Sequence, residues 1–223
     1  MTRFAVLLFL ALGAPADAQT DPPLHRVEFE VGGGILGGAS LGSADANLRA
    51  NATTKQPYRL FSTASRISSR PAVHARIGYA FNRRFAIEGG GVFTRPVVRT
   101  SVSGDVEGAP ALTVDERIDQ YFVEASILVS FDEIRLGRRT VPFLAGGAGY
   151  LRQLHEGLTL IEEGHFYHLG GGLKHWLFAR DRGFVRAAGL RADARVYLLL
   201  SGMSFDERPR PHGAASGSFF LAF

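Results

Sequence analysis

Four sets of residues in this chain have types and spacings that could do chemistry. Gly32-Gly33-Gly34-Ile35-Leu36-Gly37 fits the G-x-G-x-x-G pattern, in which backbone N–H groups cradle a pyrophosphate at a helix N-terminus. His155, His165, His168 and His175 lie near one another and offer imidazoles to a metal ion. His155, Glu156, Ser201, Ser204 and His212 supply hydroxyl nucleophiles and bases, the ingredients of acyl transfer. Arg191, Asp193 and Arg195 place an ionisable group at every second position, which sends all three charges to one face of a strand.

Context weakens the first three sets. The glycine run continues as Gly38-Ala39-Ser40-Leu41-Gly42-Ser43, with no amphipathic helix to present a phosphate site, so the glycines read as aids to strand curvature and close approach. His165 and His168 are three apart, on opposite faces of a strand, and His168 and His175 also differ in parity, which leaves only the loop side for a shared metal. No Ser stands beside a His in a way that marks an activated nucleophile. The expectation is therefore no catalytic residue, no cofactor and no metal. The chain has no cysteine, which excludes disulfides, thiolate metal sites and a lipid-modified cysteine at a processing site. Its net charge of +4 is spread through every segment and interleaved with Asp and Glu, unlike the basic stripe of a nucleic-acid binder.

The fourth set needs an element with two-residue periodicity, and the chain supplies it repeatedly. Residues 1–18 read first as a signal peptide: Arg3, the apolar run Phe4 to Leu12, and the small-x-small site Ala16-Asp17-Ala18, with Gln19 as the mature N-terminus. That run, followed by Gly13 and Pro15, falls short of the roughly 20 residues that cross a hydrocarbon core as a helix. Residues 19–223 then read as one all-β domain.

Strands are expected over 26–36, 72–82, 85–94, 118–131, 140–152, 165–177, 184–197 and 213–223. The first sets Val27, Phe29, Val31, Gly33 and Ile35 against Arg26, Glu28 and Glu30. The second sets Val73, Ala75, Ile77, Tyr79 and Phe81 against His74 and Arg76, and after the turn Asn82-Arg83-Arg84 the third sets Phe85, Ile87 and Phe93 against Glu88 and Thr94. The fourth sets Tyr121, Val123, Ala125, Ile127, Val129 and Phe131 against Gln120, Glu124, Ser126 and Ser130. The fifth is glycine-rich and its facing is open. In the sixth, Tyr167, Leu169, Leu173 and Leu177 oppose His168 and Lys174, and Trp176 falls on the polar side unless the strand ends or bulges there. The seventh opposes Ala188, Leu190, Ala192, Ala194 and Val196 to Arg191, Asp193 and Arg195. The connections alternate between long and short, with 38–70 and 95–117 expected as long loops. An even strand number with that alternation predicts an eight-stranded antiparallel up-and-down transmembrane β-barrel whose short turns share one side.

On Pro142-Phe143-Leu144-Ala145-Gly146-Gly147-Ala148-Gly149-Tyr150, Leu169-Gly170-Gly171-Gly172-Leu173-Lys174, Gly189-Leu190-Arg191-Ala192-Asp193-Ala194-Arg195 and the terminal Phe223, the chain resembles the family of small outer-membrane β-barrel domains related to OmpA and OmpX. The resemblance covers nearly all of residues 25–223. It implies export to the bacterial outer membrane, contact with outer-membrane lipids and lipopolysaccharide, and an assembly signal at Phe219, Leu221 and Phe223 read by the barrel-assembly machinery. Many members of the family carry a further periplasmic peptidoglycan-binding domain, which is not expected here. Their roles are diverse, so the fold does not specify an activity.

An eight-stranded barrel has an interior that side chains can fill. The expected inward set is Arg26, Arg76, Lys174, Arg191 and Arg195 with Glu28, Glu30, Glu88, Glu124 and Asp193, a network of opposite charges plugging the lumen. The reading is thus a non-enzymatic barrel with a structural or surface-interaction role. The alternatives are a lipid-modifying acylhydrolase or acyltransferase, a narrow channel, and a soluble periplasmic barrel whose apolar face points inward around a lipid. The short turns are basic through Arg83, Arg84, Arg135, Arg138, Arg139, Arg180 and Arg182, and segment 38–70 through Arg49, Lys55, Arg59, Arg66 and Arg70; contact with lipid phosphates and plain solvation are the two readings.

Overall fold

A computed structural model of the chain describes residues 26–48, 58–134, 136–137, 139–155, 161–180, 182–200 and 209–223. The expected signal peptide, with Glu156, Ser201, Ser204, Arg49, Lys55, Arg135 and Arg138, lies outside the described residues.

The described residues form strands β1 (Val27–Leu36), β2 (Ala39–Leu48), β3 (Tyr58–Ile67), β4 (Arg70–Ala80), β5 (Phe85–Thr94), β6 (Val97–Ser103), β7 (Leu112–Ser130), β8 (Thr140–His155), β9 (Ile161–Ala179), β10 (Ala187–Leu199) and β11 (Arg210–Ala222). Eight of them, β1, β4, β5, β7, β8, β9, β10 and β11, follow one another in antiparallel pairs, and pairing of β1 with β11 and of β7 with β8 closes the circle. Closure satisfies both edges of every barrel strand, so no backbone donor or acceptor row in the wall is left over. The turns after β4, β7 and β9 lie at one end, the turn end, where β1 also starts and β11 finishes. The first of these turns is tight because the Asn82 side-chain oxygen accepts the backbone N–H groups of Arg84 and Phe85, both at 2.8 Å.

The stretches 38–70 and 95–117, expected as loops, instead contain β2, β3, β6 and the first residues of β7. They pair in the order β2-β3-β6-β7 and carry the wall beyond the opposite end, the loop end. Their two-residue signal is faint because Ser, Thr and Ala occupy both faces; only Leu41, Ile67, Val98 and Ile118 form a buried apolar cluster beneath this sheet. Hydroxyls supplement the ladders, as in the Ser65–Thr100 pair at 2.7 Å.

In the barrel the two faces differ in kind. Phe29, Val31, Ile77, Ile87, Val123, Ile127, Leu169, Leu190, Val196 and Phe219 are exposed on the outside, while Glu30, Arg76, Glu88, Glu124, Arg191, Asp193 and Arg195 are buried within. The open facing of β8 resolves with Val141, Phe143, Ala145 and Leu151 inward and Leu144 outward. Trp176 keeps the inward parity of Lys174, edge-on to Phe220 with ring centroids 4.8 Å apart; the irregularity comes one residue later, where Gly189 pairs with Trp176 but Ala188 with Phe178, so that Leu177 is passed over. One expected position changes. The same irregularity buries Ala188, expected outside, while Phe184, expected to open the seventh strand, lies in the turn before β10.

The glycines of the inner face stand beside the largest inward side chains along hydrogen-bonded rows. A Cβ on Gly90 would come within 2.6 Å of Arg76 Cγ, on Gly170 within 2.7 Å of Arg195 Cγ, on Gly172 within 2.8 Å of Asp193 Cβ, and on Gly149 within 2.3 Å of Phe166 Cζ. Big and small residues thus alternate around the wall, and the glycine-rich β8 and β9 are the small half of that pattern. Gly32-Gly33-Gly34 belongs to the same scheme: it lies in β1, a strand follows it, and a Cβ on Gly34 would sit 2.2 Å from the Ala215 carbonyl oxygen.

Gly149→Ala places a methyl against backbone and a packed ring, and should cost about 1–3 kcal/mol of barrel stability. Gly213→Ala, which meets nothing within 4 Å, should be neutral to within about 0.5 kcal/mol. Equilibrium urea unfolding of the two variants in detergent checks the pair; equal losses would contradict the packing scheme.

Candidate functional site

Alternation along β10 delivers Arg191, Asp193, Arg195 and Tyr197 to the interior, where β1 brings Glu30, β4 brings His74 and Arg76, β5 brings Glu88 and β7 brings Glu124. Three arginines and three glutamates alternate in a closed ring. Glu30 joins Arg76 to Arg191, with both Nη1 atoms 2.8 Å from its two oxygens. Glu88 joins Arg191, in direct contact, to Arg195 Nη2 at 3.7 Å. Glu124 joins Arg195 Nη1 at 2.8 Å to Arg76 Nε at 3.0 Å. Asp193 sits at the hub, 3.1 Å from Arg191 Nε, 3.2 Å from Arg195 Nε and 3.5 Å from Arg76 Nη1. His74 Nε2 adds a further donor to Glu30 at 3.2 Å. Such multiply bridged guanidinium groups are the arrangement that offsets the cost of taking charge out of water.

Apolar groups cover the ring on both sides. Toward the loop end, Phe122, Phe166 and Tyr197 contact one another pairwise at 5.5–5.8 Å between centroids, backed by Leu36 and Leu151. Tyr197 also donates its hydroxyl to Glu124 Oε2 at 3.0 Å, tying the aromatic layer to the ring. Toward the turn end, the Arg191 guanidinium lies 4.4 Å from the Phe143 centroid, and Phe143 packs with Leu128 and Ala145. Beside this layer Lys174 pairs with Glu28, and its ammonium lies 5.6 Å from the Phe220 ring centroid.

The structure therefore brings together nine of the ten residues assigned to the lumen, seven in the ring and two in the Lys174–Glu28 pair. Arg26 is the exception: it precedes β1 and is exposed, since the strand begins one residue later than expected. Tyr197 and the aromatic layer were missed, although Tyr197 continues the register of Arg191, Asp193 and Arg195 by one more step. Of the assembly-signal residues, Phe219 is exposed on the outer face, Leu221 and Phe223 are half-buried, and Phe223 packs on Phe184 with centroids 5.0 Å apart.

The histidines scatter. His165 is exposed outside, His168 is buried inside, His175 bonds Thr140 at 2.8 Å, and His155 Nδ1 meets Glu116 at 2.7 Å. No group of three metal-ligating side chains occurs among the described residues. Ser126, His168 and Glu124 resemble a nucleophile, base and acid, with Ser126 Oγ 3.3 Å from His168 Nε2. Yet Glu124 approaches that same Nε2, at 3.9 Å, whereas a relay needs the acid on the other ring nitrogen, and all three side chains are sealed inside. His212 Nδ1 meets the Gly37 carbonyl oxygen at 3.1 Å rather than a serine. Outside the barrel-spanning part of β7, Arg99 holds Asp115 by two bonds of 2.8 Å, and that hydrogen bonding lowers the Asp115 carboxyl below its ordinary range.

No protein-family model matches the chain, and no curated protein matches it. Among solved structures it is similar to Neisserial surface protein A, at 11% identity over 88% of this chain and 97% of that one, with a TM-score of 0.51. OprG of Pseudomonas aeruginosa is also matched, at 11% identity over 89% and 94% of the two chains and a TM-score of 0.44. Ail, the attachment invasion locus protein of Yersinia pestis, matches at 11% identity over 89% and 97%, with a TM-score of 0.41. The first likeness shows the fold: a closed eight-stranded barrel of the outer-membrane type.

Arg191→Leu leaves Glu30 and Glu88 short of a cation and should cost about 3–5 kcal/mol. In a double-mutant cycle, Arg191→Leu with Glu88→Leu should cost less than the sum of the two single changes. Additive losses in urea unfolding would contradict a coupled ring.

Proposed function

We propose that the chain is a non-enzymatic protein of the bacterial outer membrane, with a structural or surface-interaction role and a lumen plugged by its own side chains. The observation that carries this reading is the inversion of the barrel: a ring of charges inside and exposed Phe29, Ile77, Val123, Ile127, Leu169 and Leu190 outside. A soluble barrel that holds a lipid needs the opposite arrangement, with apolar side chains lining the cavity. Large contiguous apolar surface on a monomer calls for an apolar surround, and a membrane supplies it.

Tyr79, Phe81 and Phe85 near the turn end, and Phe93 and Tyr121 near the loop end, fit the aromatic girdles of a membrane barrel. The turn end would face the periplasm, and Phe219, Leu221 and Phe223 would present the assembly signal. The apolar and aromatic layers on either side of the charge ring support a non-conducting lumen. The sealed Ser126–His168 pair, with no access for substrate, supports the absence of acyl-transfer chemistry there.

Refolded into detergent, the protein should migrate differently on gels before and after boiling, and it should show no stepwise conductance in a planar lipid bilayer. Folding in water without detergent would contradict the membrane placement. Steady ohmic conductance would contradict the plug.

A further inference from the structure

On the outer wall near the loop end, β3, the β5–β6 link, β6 and β7 carry Arg66, Arg95, Arg99 and Arg117, which the carboxylates of the described residues leave incompletely matched. Register places Phe93 opposite Tyr121, Arg99 opposite Asp115 and Arg66 opposite Arg99, so these side chains share the outward face. Like charges directly opposite across a ladder are unfavourable. Asp115 answers Arg99 alone, and neither Arg66 nor Arg117 forms an ion pair among the described residues, though both are exposed. Arg95 gives Asp119 only its Nε, at 2.9 Å, and its guanidinium lies 5.3 Å from the Phe93 ring centroid. The Phe93 and Tyr121 rings, 4.9 Å apart, mark the upper limit of the exposed apolar band.

We propose that this face binds the phosphate groups of a phosphorylated glycolipid of the outer leaflet, through Arg66, Arg95 and Arg117, with its acyl chains against the apolar wall below Phe93 and Tyr121. The inference rests on the membrane placement proposed above. Guanidinium forks suit phosphate oxygens, and a planar cation held over an aromatic ring is oriented before the ligand arrives. The position of the arginines decides for a lipid over a soluble polyanion. Arg95 lies two residues above the Phe93–Tyr121 pair, Arg117 four and Arg66 six by register, a rising file that starts at the apolar band and stops short of the tips of the loop-end sheet at Ser103 and Leu112.

The test is native mass spectrometry of the full chain refolded in detergent and titrated with bis-phosphorylated lipid A, the same lipid A stripped of phosphate, and heparin. Arg66→Ala with Arg117→Ala removes two cations that hold no ion pair among the described residues; Arg84→Ala with Arg182→Ala removes two at the turn end as a control. Lipid A should bind wild type and control alike, about tenfold more weakly to the first variant, and about tenfold more weakly to wild type without its phosphates. Undiminished binding by the first variant, or indifference to phosphate removal, overturns the site. Heparin competing as effectively as lipid A assigns the face to a soluble polyanion and overturns it too. A gel shift on boiling the same sample reports the barrel separately: with the shift present, a loss of binding is a failure of the site, and without it the membrane placement fails first.

Discussion

Guanidinium groups gathered in the middle of a barrel need carboxylates to offset the loss of water, and this ring holds three such groups. Each pair is bridged by a different glutamate, and Asp193 touches all three. Because the seven ring residues come from β1, β4, β5, β7 and β10, the ring ties five of the eight barrel strands across the lumen as well as along the wall. The desolvation cost of each ion is several kcal/mol, and it is offset only while every bridge is in place. Closure and charge pairing therefore depend on each other.

The surrounding packing follows from the same constraint. Room for the arginines comes from glycines next to them in the hydrogen-bonded rows, as with Gly90 beside Arg76 and Gly170 beside Arg195. The aromatic layer of Phe122, Phe166 and Tyr197 on one side and Phe143 with Leu128 on the other lower the local dielectric and strengthen the ion pairs. With polar groups gathered inside, the outer face is left to Val, Ile, Leu and Phe. The interior thus dictates both the composition of the wall and the solvent it faces.

How legible this was in the sequence varies with the contrast between the two faces of each strand. On β7, Tyr121 to Val129 alternate cleanly with Gln120 to Ser130, and the faces follow at once. On β8 both faces are small or apolar, so its orientation emerges only from neighbours such as Phe166 and His168. The strands β2, β3 and β6 were hidden because Ser, Thr and Ala serve either face, and a few buried residues such as Leu41 and Val98 carry their period. Charged residues at alternate positions marked the inward face, but which arginine meets which glutamate depends on register across five strands. Ala188 was misplaced at a register shift, which periodicity has no means of announcing, whereas Trp176 kept the inward parity of Lys174.

The most direct test of the proposed plug at the charge ring uses the absence of cysteine from the chain. Ser126 lies at the level of Glu88, inside the barrel and 5% exposed, whereas Ser103 is exposed on the loop-end sheet. Single Ser126→Cys and Ser103→Cys variants in lipid vesicles are treated with a membrane-impermeant maleimide applied to both sides. The expected result is prompt labelling at 103 and none at 126 until the barrel is unfolded by heat. Prompt labelling at 126 in the folded protein would mean an open, water-filled lumen, and would contradict the account.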